Sequence, residues 1–205
     1  MAMVQRTCGR SRFQRNGFLP GRPESRWLTA VVIMALAIFL LSSTPPCRGE
    51  TPPPGEYQVK AAYLVRFLKY VELHGEAVAD KDSTIVIGIL GDSPMWSAAS
   101  PLDGTRLQNH VVRVRRVEEP EEMRGCGIVF IGAGETGRLG QLVEFAGHNR
   151  ILTVSDIRRF VYAGGGIGFV NRGKHVRFEI NRTAVQATGA RISSDLLRLA
   201  DRIVE

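Results

Sequence analysis

The sequence predicts an α/β fold: a three-layer α/β/α sandwich whose mixed, mainly parallel sheet is Rossmann-like or flavodoxin-like and ends in a C-terminal β-hairpin. Three observations carry this expectation. "STIVIGILGDSP" at 83–94 is a β-branched run, apolar on both faces and cut by turn residues, the pattern of a strand covered from both sides. Strand-like and helical runs then alternate, as in parallel βαβ units. Late in the chain, "GGIGFVNRGKHVRFEI" at 165–180 joins two strand-like runs through Asn171-Arg172-Gly173-Lys174, a hairpin signal of the longer-loop kind.

A chain of 205 residues suits one domain and a leader rather than two cores. Residues 1–50 read as the leader. An arginine-rich stretch precedes the apolar run "WLTAVVIMALAIFLL" at 27–41 and the polar exit "SSTPP", the order of a secretory signal. No A-x-A site follows Leu41, so a retained N-terminal membrane anchor stands as the alternative to cleavage, with a lipoprotein reading through Cys47 the weaker third. The flanking arginines orient both main versions alike, and the domain is expected outside the cytoplasm. Seven arginines against Glu24 and Glu50 give the leader +5 of the chain's +7, leaving +2 on the rest. That is too little to indicate a nucleic-acid face.

"TPPPG" at 51–55 reads as a stiff spacer, and the folded domain is expected over 56–205. "EYQVKAAYLVRFLKYVEL" sets Tyr57, Ala61, Leu64, Phe67, Leu68 and Val71 at helical spacing, with Lys60 and Lys69 among the polar positions; it predicts an amphipathic helix of about 17 residues. After the first strand come a short helix near Met95–Ser100, a strand at "HVVRVRRV", a third at "GIVFIG", a helix at "TGRLGQLVEFAG" and a fourth strand at "RILTVSD". Past the hairpin, "NRTAVQATG" and "SSDLLRLADRIV" predict two short helices. Asn181 is expected to cap the first, and Ser193 or Ser194 the second, with Asp195 favouring its first-turn dipole.

The spacing Gly132-x-Gly134-x-x-Gly137 follows a strand and opens a helix, with Asp156 19 residues beyond, the layout of a dinucleotide fingerprint. Its context argues otherwise, because the fingerprint belongs after the first strand at the switch point and two strands precede it here. "AGGGIGF" at 163–169 is followed by a strand rather than a helix, so it reads as a turn and not a phosphate loop. The four histidines are scattered, with no metal-ligand spacing, nucleophile elbow or zinc-protease helix. No catalytic set, metal or cofactor is implied. Cys126, the only cysteine of the body, reads as a small buried residue beside a strand, with an intermolecular bridge as the alternative.

Two positions stand out as interaction candidates. In "VRFEIN" the alternation sends Val176, Phe178 and Ile180 to one face and Arg177 and Glu179 to the other; near an edge hairpin, that pair reads either as a partner-docking face or as a solvated one. Asp156 reads either as the cap of "IRRF" or as a ligand-facing carboxylate at the end of a parallel strand.

Several segments taken in order, "KAAYLVRFLKYVE", "CGIVFIG", "ILTVSDIRRF", "GGGIGF", "VRFEINRTAV" and "ISSDLLRLADRI", resemble the YfiR-like family of periplasmic regulatory proteins from Lys60 to Val204. The resemblance implies a non-enzymatic regulator. It would bind, as a partner, the extracytoplasmic sensor domain of a membrane diguanylate cyclase and restrain cyclic di-GMP synthesis, with homodimerisation part of the same picture. It also implies that "IVFIGAGETG" is a strand and turn without a dinucleotide. The chain departs from the family at Leu73, where many relatives carry an aromatic residue, and in keeping one body cysteine where relatives form redox-responsive disulfides. A periplasmic small-ligand binding or sensor module is the alternative reading.

Overall fold

The computed structural model describes residues 55–73 and 84–205. The leader and spacer expectations, apart from Gly55, lie outside the described residues, as does His74. In chain order the elements are α1 (Glu56–Tyr70), β1 (Val71–Glu72), β2 (Thr84–Leu90), α2 (Met95–Ala99), β3 (Arg106–Leu107), β4 (His110–Val117) and β5 (Ile128–Ile131). There follow α3 (Leu139–His148), β6 (Leu152–Ser155), β7 (Ile167–Arg172), β8 (His175–Asn181), α4 (Arg182–Ala187), β9 (Arg191–Ile192), α5 (Ser194–Leu199) and β10 (Arg202–Val204).

Eight strands form one sheet in the order β10-β8-β7-β6-β5-β2-β4-β3, while β1 and β9 pair as a separate two-stranded ribbon. The central strands β4, β2, β5, β6 and β7 are all parallel. Numbered by appearance they run 2-1-3-4-5, the flavodoxin-like order. β8 returns antiparallel to β7, and β10 lies parallel to β8 on its outer side.

The all-apolar strands are explained by two cores, one on each face. On β5, Ile128 and Phe130 join the core beneath α1, whereas Val129 and Ile131 join the opposite core with Leu139, Leu142 and Ala146 of α3. Phe67 of α1 is fully buried and stacks on Phe169 of β7 at 5.9 Å and edge-on against Phe178 of β8 at 5.2 Å. Each such ring contributes about 1.5–3 kcal/mol relative to an exposed one, and together they fix α1 across the hairpin.

Several expectations are corrected. α1 stops at 15 residues, because Val71 and Glu72 pair antiparallel with Ile192 and Arg191. The segment Ala133–Arg138 is a 3₁₀ stretch, and the helix proper begins at Leu139. The hairpin turn is two residues, Gly173-Lys174, since Arg172 already pairs with His175; Gly173 supplies the positive φ of 61° that a tight turn requires. The last helix ends at Leu199, and Arg202–Val204 forms β10 against Glu179–Asn181. β10 therefore covers the outer side of the hairpin only over Glu179–Asn181.

Candidate functional site

The first turns of α1 meet the carboxyl end of β6. Glu56 and Lys60, four apart on one face of the helix, form an ion pair at 2.6 Å, and Lys60 Nζ also lies 2.7 Å from Asp156 Oδ2. The three side chains are only 7%, 4% and 11% exposed. Tyr57 donates its phenol O–H to Asp156 Oδ2 at 2.9 Å, and Asn171 of β7 donates Nδ2–H to Glu56 Oε1 at 3.1 Å. The Lys60 ammonium also sits 4.4 Å from the centre of the Tyr57 ring. Lys60, read from the sequence as one of the polar positions, is thus buried; its charge is tolerated there because two carboxylates neutralise it.

The electrostatics follow from this crowding. Burial is the largest influence on Tyr57, with the charge and hydrogen bond of Asp156 added, and the phenol is held well above its ordinary value. For Glu56, burial pushes upward most strongly, but the hydrogen bonds from Lys60 and Asn171 and the Lys60 charge together outweigh it and hold the carboxyl below 4.5. Asp156 Oδ1, in contrast, is buried with no hydrogen-bond partner, the only such side-chain atom among the described residues. It is an acceptor left open to an N–H or O–H donor. The capping role belongs to its neighbour instead. Ser155 Oγ accepts from the Ile157 N–H at 3.0 Å while donating to the Ile131 carbonyl at 2.7 Å.

The glycine fingerprint occupies the true switch point, between β2 and β5, because the chain winds outward to β4 and then back to β5. What fills that point is a carboxylate. A Cβ on Gly91, which follows β2 with φ +81°, would lie 2.5 Å from Glu135 Oε1, and Glu135 is ion-paired with Arg138. Arg138 is held in turn by Glu119 and the Glu118 carbonyl. A phosphate group brought to this crevice would meet a negative charge already in place. "AGGGIGF" is likewise structural. A Cβ on Gly165 would stand 2.2 Å from the Phe160 ring, and the Gly166 N–H donates to Thr153 Oγ1 at 3.0 Å.

On β8, Arg177 is exposed while Glu179 is only 8% exposed. Glu179 Oε1 lies 3.6 Å from Arg172 and 3.9 Å from Arg202, and Asp201 takes the second ion pair of Arg172 at 2.6 Å. The hydrogen bond from Arg172, joined by the charges of Arg172, Arg177 and Arg202, outweighs hydration losses and holds the Asp201 carboxyl low. Arg177 and Glu179 thus belong to one network of charges with unequal access to solvent. Cys126 is buried at 1% exposure; burial raises its thiol pKa, opposed by Arg115, whose guanidinium lies 3.2 Å from Sγ.

Sequence reasoning found Asp156 but not Tyr57, Lys60 or Glu56 beside it. The Glu56–Lys60 spacing of four was the available signal; the partner 96 residues onward had none. Among the described residues, no group of three His, Cys, Asp or Glu side chains could hold a metal ion, and no helix is long and apolar enough to cross a membrane.

The sequence matches a family described as YfiR/HmsC-like over residues 57–201. No curated protein matches it. Among solved structures, a conserved domain protein of Vibrio cholerae O1 biovar eltor aligns over 72% of this chain and 60% of its own, with 10% identity and a TM-score of 0.48. An ABC domain in complex with L-Trp from Streptococcus pneumonia aligns over 58% of this chain and 55% of its own, with 12% identity and a TM-score of 0.43. The chain spans less than two thirds of either structure.

Proposed function

The chain belongs to the YfiR/HmsC-like family, a family of regulators, and on that premise we propose that it is a non-enzymatic regulator of cyclic di-GMP signalling in the periplasm. It binds the extracytoplasmic sensor domain of an inner-membrane diguanylate cyclase and shifts that enzyme toward its less active state, which requires that it bind the two states unequally. The leader delivers it across the inner membrane, cleaved or retained as an anchor, and 56–205 is the folded regulatory domain.

The observation that carries the reading is the family match, which spans α1 from Tyr57 onward, Asp156 and β8 in one continuous stretch. The partner surface is centred on Arg177, with Glu179 beneath it. β10 pairs with β8 only from Glu179 onward, so the outer side of His175–Arg177 is uncovered among the described strands. There an exposed guanidinium meets open backbone groups, a combination suited to an extended partner segment.

Calorimetric titration of the chain with the sensor domain of a membrane diguanylate cyclase from the same organism tests this. Binding at micromolar affinity or tighter, about −8 kcal/mol, is expected, with a loss of at least tenfold for Arg177→Glu. Absence of binding, checked at several temperatures, overturns it.

The unpartnered Asp156 Oδ1 favours a second reading, a site for a small ligand bearing an N–H or O–H donor. A thermal-shift screen of primary amines and polyols tests it. Stabilisation by a hit should vanish in Asp156→Ala, and a screen without hits rejects the reading.

A further inference from the structure

The loop that leaves the Asp156 cluster presents an aromatic and two arginines on a rigid base. Ile157, Phe160 and Val161 are buried, while Arg158, Arg159 and Tyr162 are exposed, Tyr162 at 48%. The base is over-determined. The Phe160 N–H donates to the Ile157 carbonyl at 3.1 Å, Ser155 holds the Ile157 N–H, Asn181 Nδ2–H donates to the Val161 carbonyl at 2.8 Å, and Phe160 seats on Gly165.

Within that turn Arg159 adopts φ +59°, at the third position, where glycine or asparagine is the ordinary choice. Among the described residues, two other non-glycine residues share this conformation. Gln108 lies between the paired strands β3 and β4, and Arg150 follows the end of α3, where it is common. Arg159 has neither setting; such strain persists only where the surrounding structure over-determines it, and it clusters at functional sites.

The side chains are also uncompensated. Arg113, Arg138, Arg172 and Arg198 each reach a carboxylate; Arg158 and Arg159, like Arg66, Arg106, Arg150, Arg177 and Arg191, take no ion pair among the described residues, and the two are adjacent in the chain. Arg159 instead lies over the Tyr162 ring at 5.4 Å. Tyr and Arg are the residue types that dominate binding energy at protein interfaces, and a turn fixed in advance lowers the ordering cost of docking.

We propose that Arg158, Arg159 and Tyr162 form a preorganised docking knob for an acidic segment of the partner protein, distinct from the surface at Arg177. Tyr162 anchors, the two guanidiniums pair with carboxylates, and the αL turn at Arg159 is kept for its side chain. The inference rests on the regulator reading above.

The experiment repeats the calorimetric titration with the full chain and with Tyr162→Ala, Arg158→Glu and Arg159→Gly, measuring each variant's Tm. Arg159→Gly relieves the backbone while deleting the guanidinium, so a merely structural role predicts an equal or higher Tm with unchanged affinity. The proposal predicts an equal or higher Tm with at least tenfold weaker binding, similar losses for the other two, and affinity that falls with added salt. If the unaltered chain binds and all three variants bind equally well, the knob is wrong and the regulator reading stands. If the unaltered chain does not bind, both fall. Binding of these residues to phosphatidylglycerol vesicles in place of the sensor domain also overturns the proposal.

Discussion

Lys60 and Asp156 lie 96 residues apart in the chain, and their charged atoms stand 2.7 Å apart in the fold. The pair joins the N-terminal turn of α1 to the carboxyl end of β6, and Glu56 completes it from the other side. An ammonium and two carboxylates so enclosed depend on one another, since each was taken out of water on the condition that the others be present.

Lys60→Met should therefore be among the more damaging substitutions on α1. Removing one partner of a buried ion pair costs about 3–5 kcal/mol, and in a domain of this size that lowers Tm by roughly 10 °C. Thermal unfolding followed by circular dichroism checks it. The double variant Lys60→Met with Asp156→Asn should recover part of the loss, because it leaves fewer unpaired charges.

The same cluster sets a pH dependence. Glu56 is held below 4.5 in the fold, so the unfolded chain binds its proton first. Its contribution to stability is present above about pH 4.5 and is lost as pH falls through the lower folded value. Glu56→Gln should flatten the acid limb of a plot of Tm against pH.

Tyr57 has the opposite sign. Its phenol is held above the ordinary 10, so the stability it contributes is complete below pH 10 and is lost as pH rises toward the folded value. In an ultraviolet titration of phenolate, Tyr57→Phe should remove the component that ionises at the most alkaline pH. An unchanged titration curve would mean that Tyr57 is not buried against Asp156.

Arg177 and Glu179 should separate cleanly. Arg177→Glu alters an exposed side chain and should change stability by less than about 0.5 kcal/mol. Glu179→Lys inverts a buried charge beside Arg172 and Arg202 and should lower Tm by several degrees. Only the first can therefore report on partner binding without a folding defect.

Gly165→Ala should destabilise the domain by about 1–3 kcal/mol through overpacking, because the added carbon would meet the buried Phe160 ring at 2.2 Å. Urea unfolding measures this directly.

Much of the architecture was legible in the residues. The strands at Thr84–Leu90, Ile128–Ile131 and Leu152–Ser155 follow from apolar runs bounded by turns, and the parallel sheet follows from their alternation with helices. The caps were legible too. Asn181 Oδ1 accepts from the Ala184 N–H at 2.8 Å, and Ser193 Oγ from the Leu196 N–H at 3.3 Å. These features depend on neighbours a few residues away. β10 was not legible, because "RIV" is too short to declare a strand and exists only where the outer side of β8 accepts it.

By itself, the sequence determined the local states: which runs are apolar on both faces, which helix starts carry a capping side chain, and where glycine permits a turn. Tertiary structure alone decided that Lys60 is buried, that Glu135 fills the crevice over Gly91, that Glu179 lies beneath the surface while Arg177 stays on it, and that Asp156 keeps one oxygen unpartnered. The reason is physical. Periodicity and capping are short-range, whereas the burial of a charge depends on which distant side chain meets it once the sheet order 2-1-3-4-5 has been chosen, and no local pattern encodes that meeting.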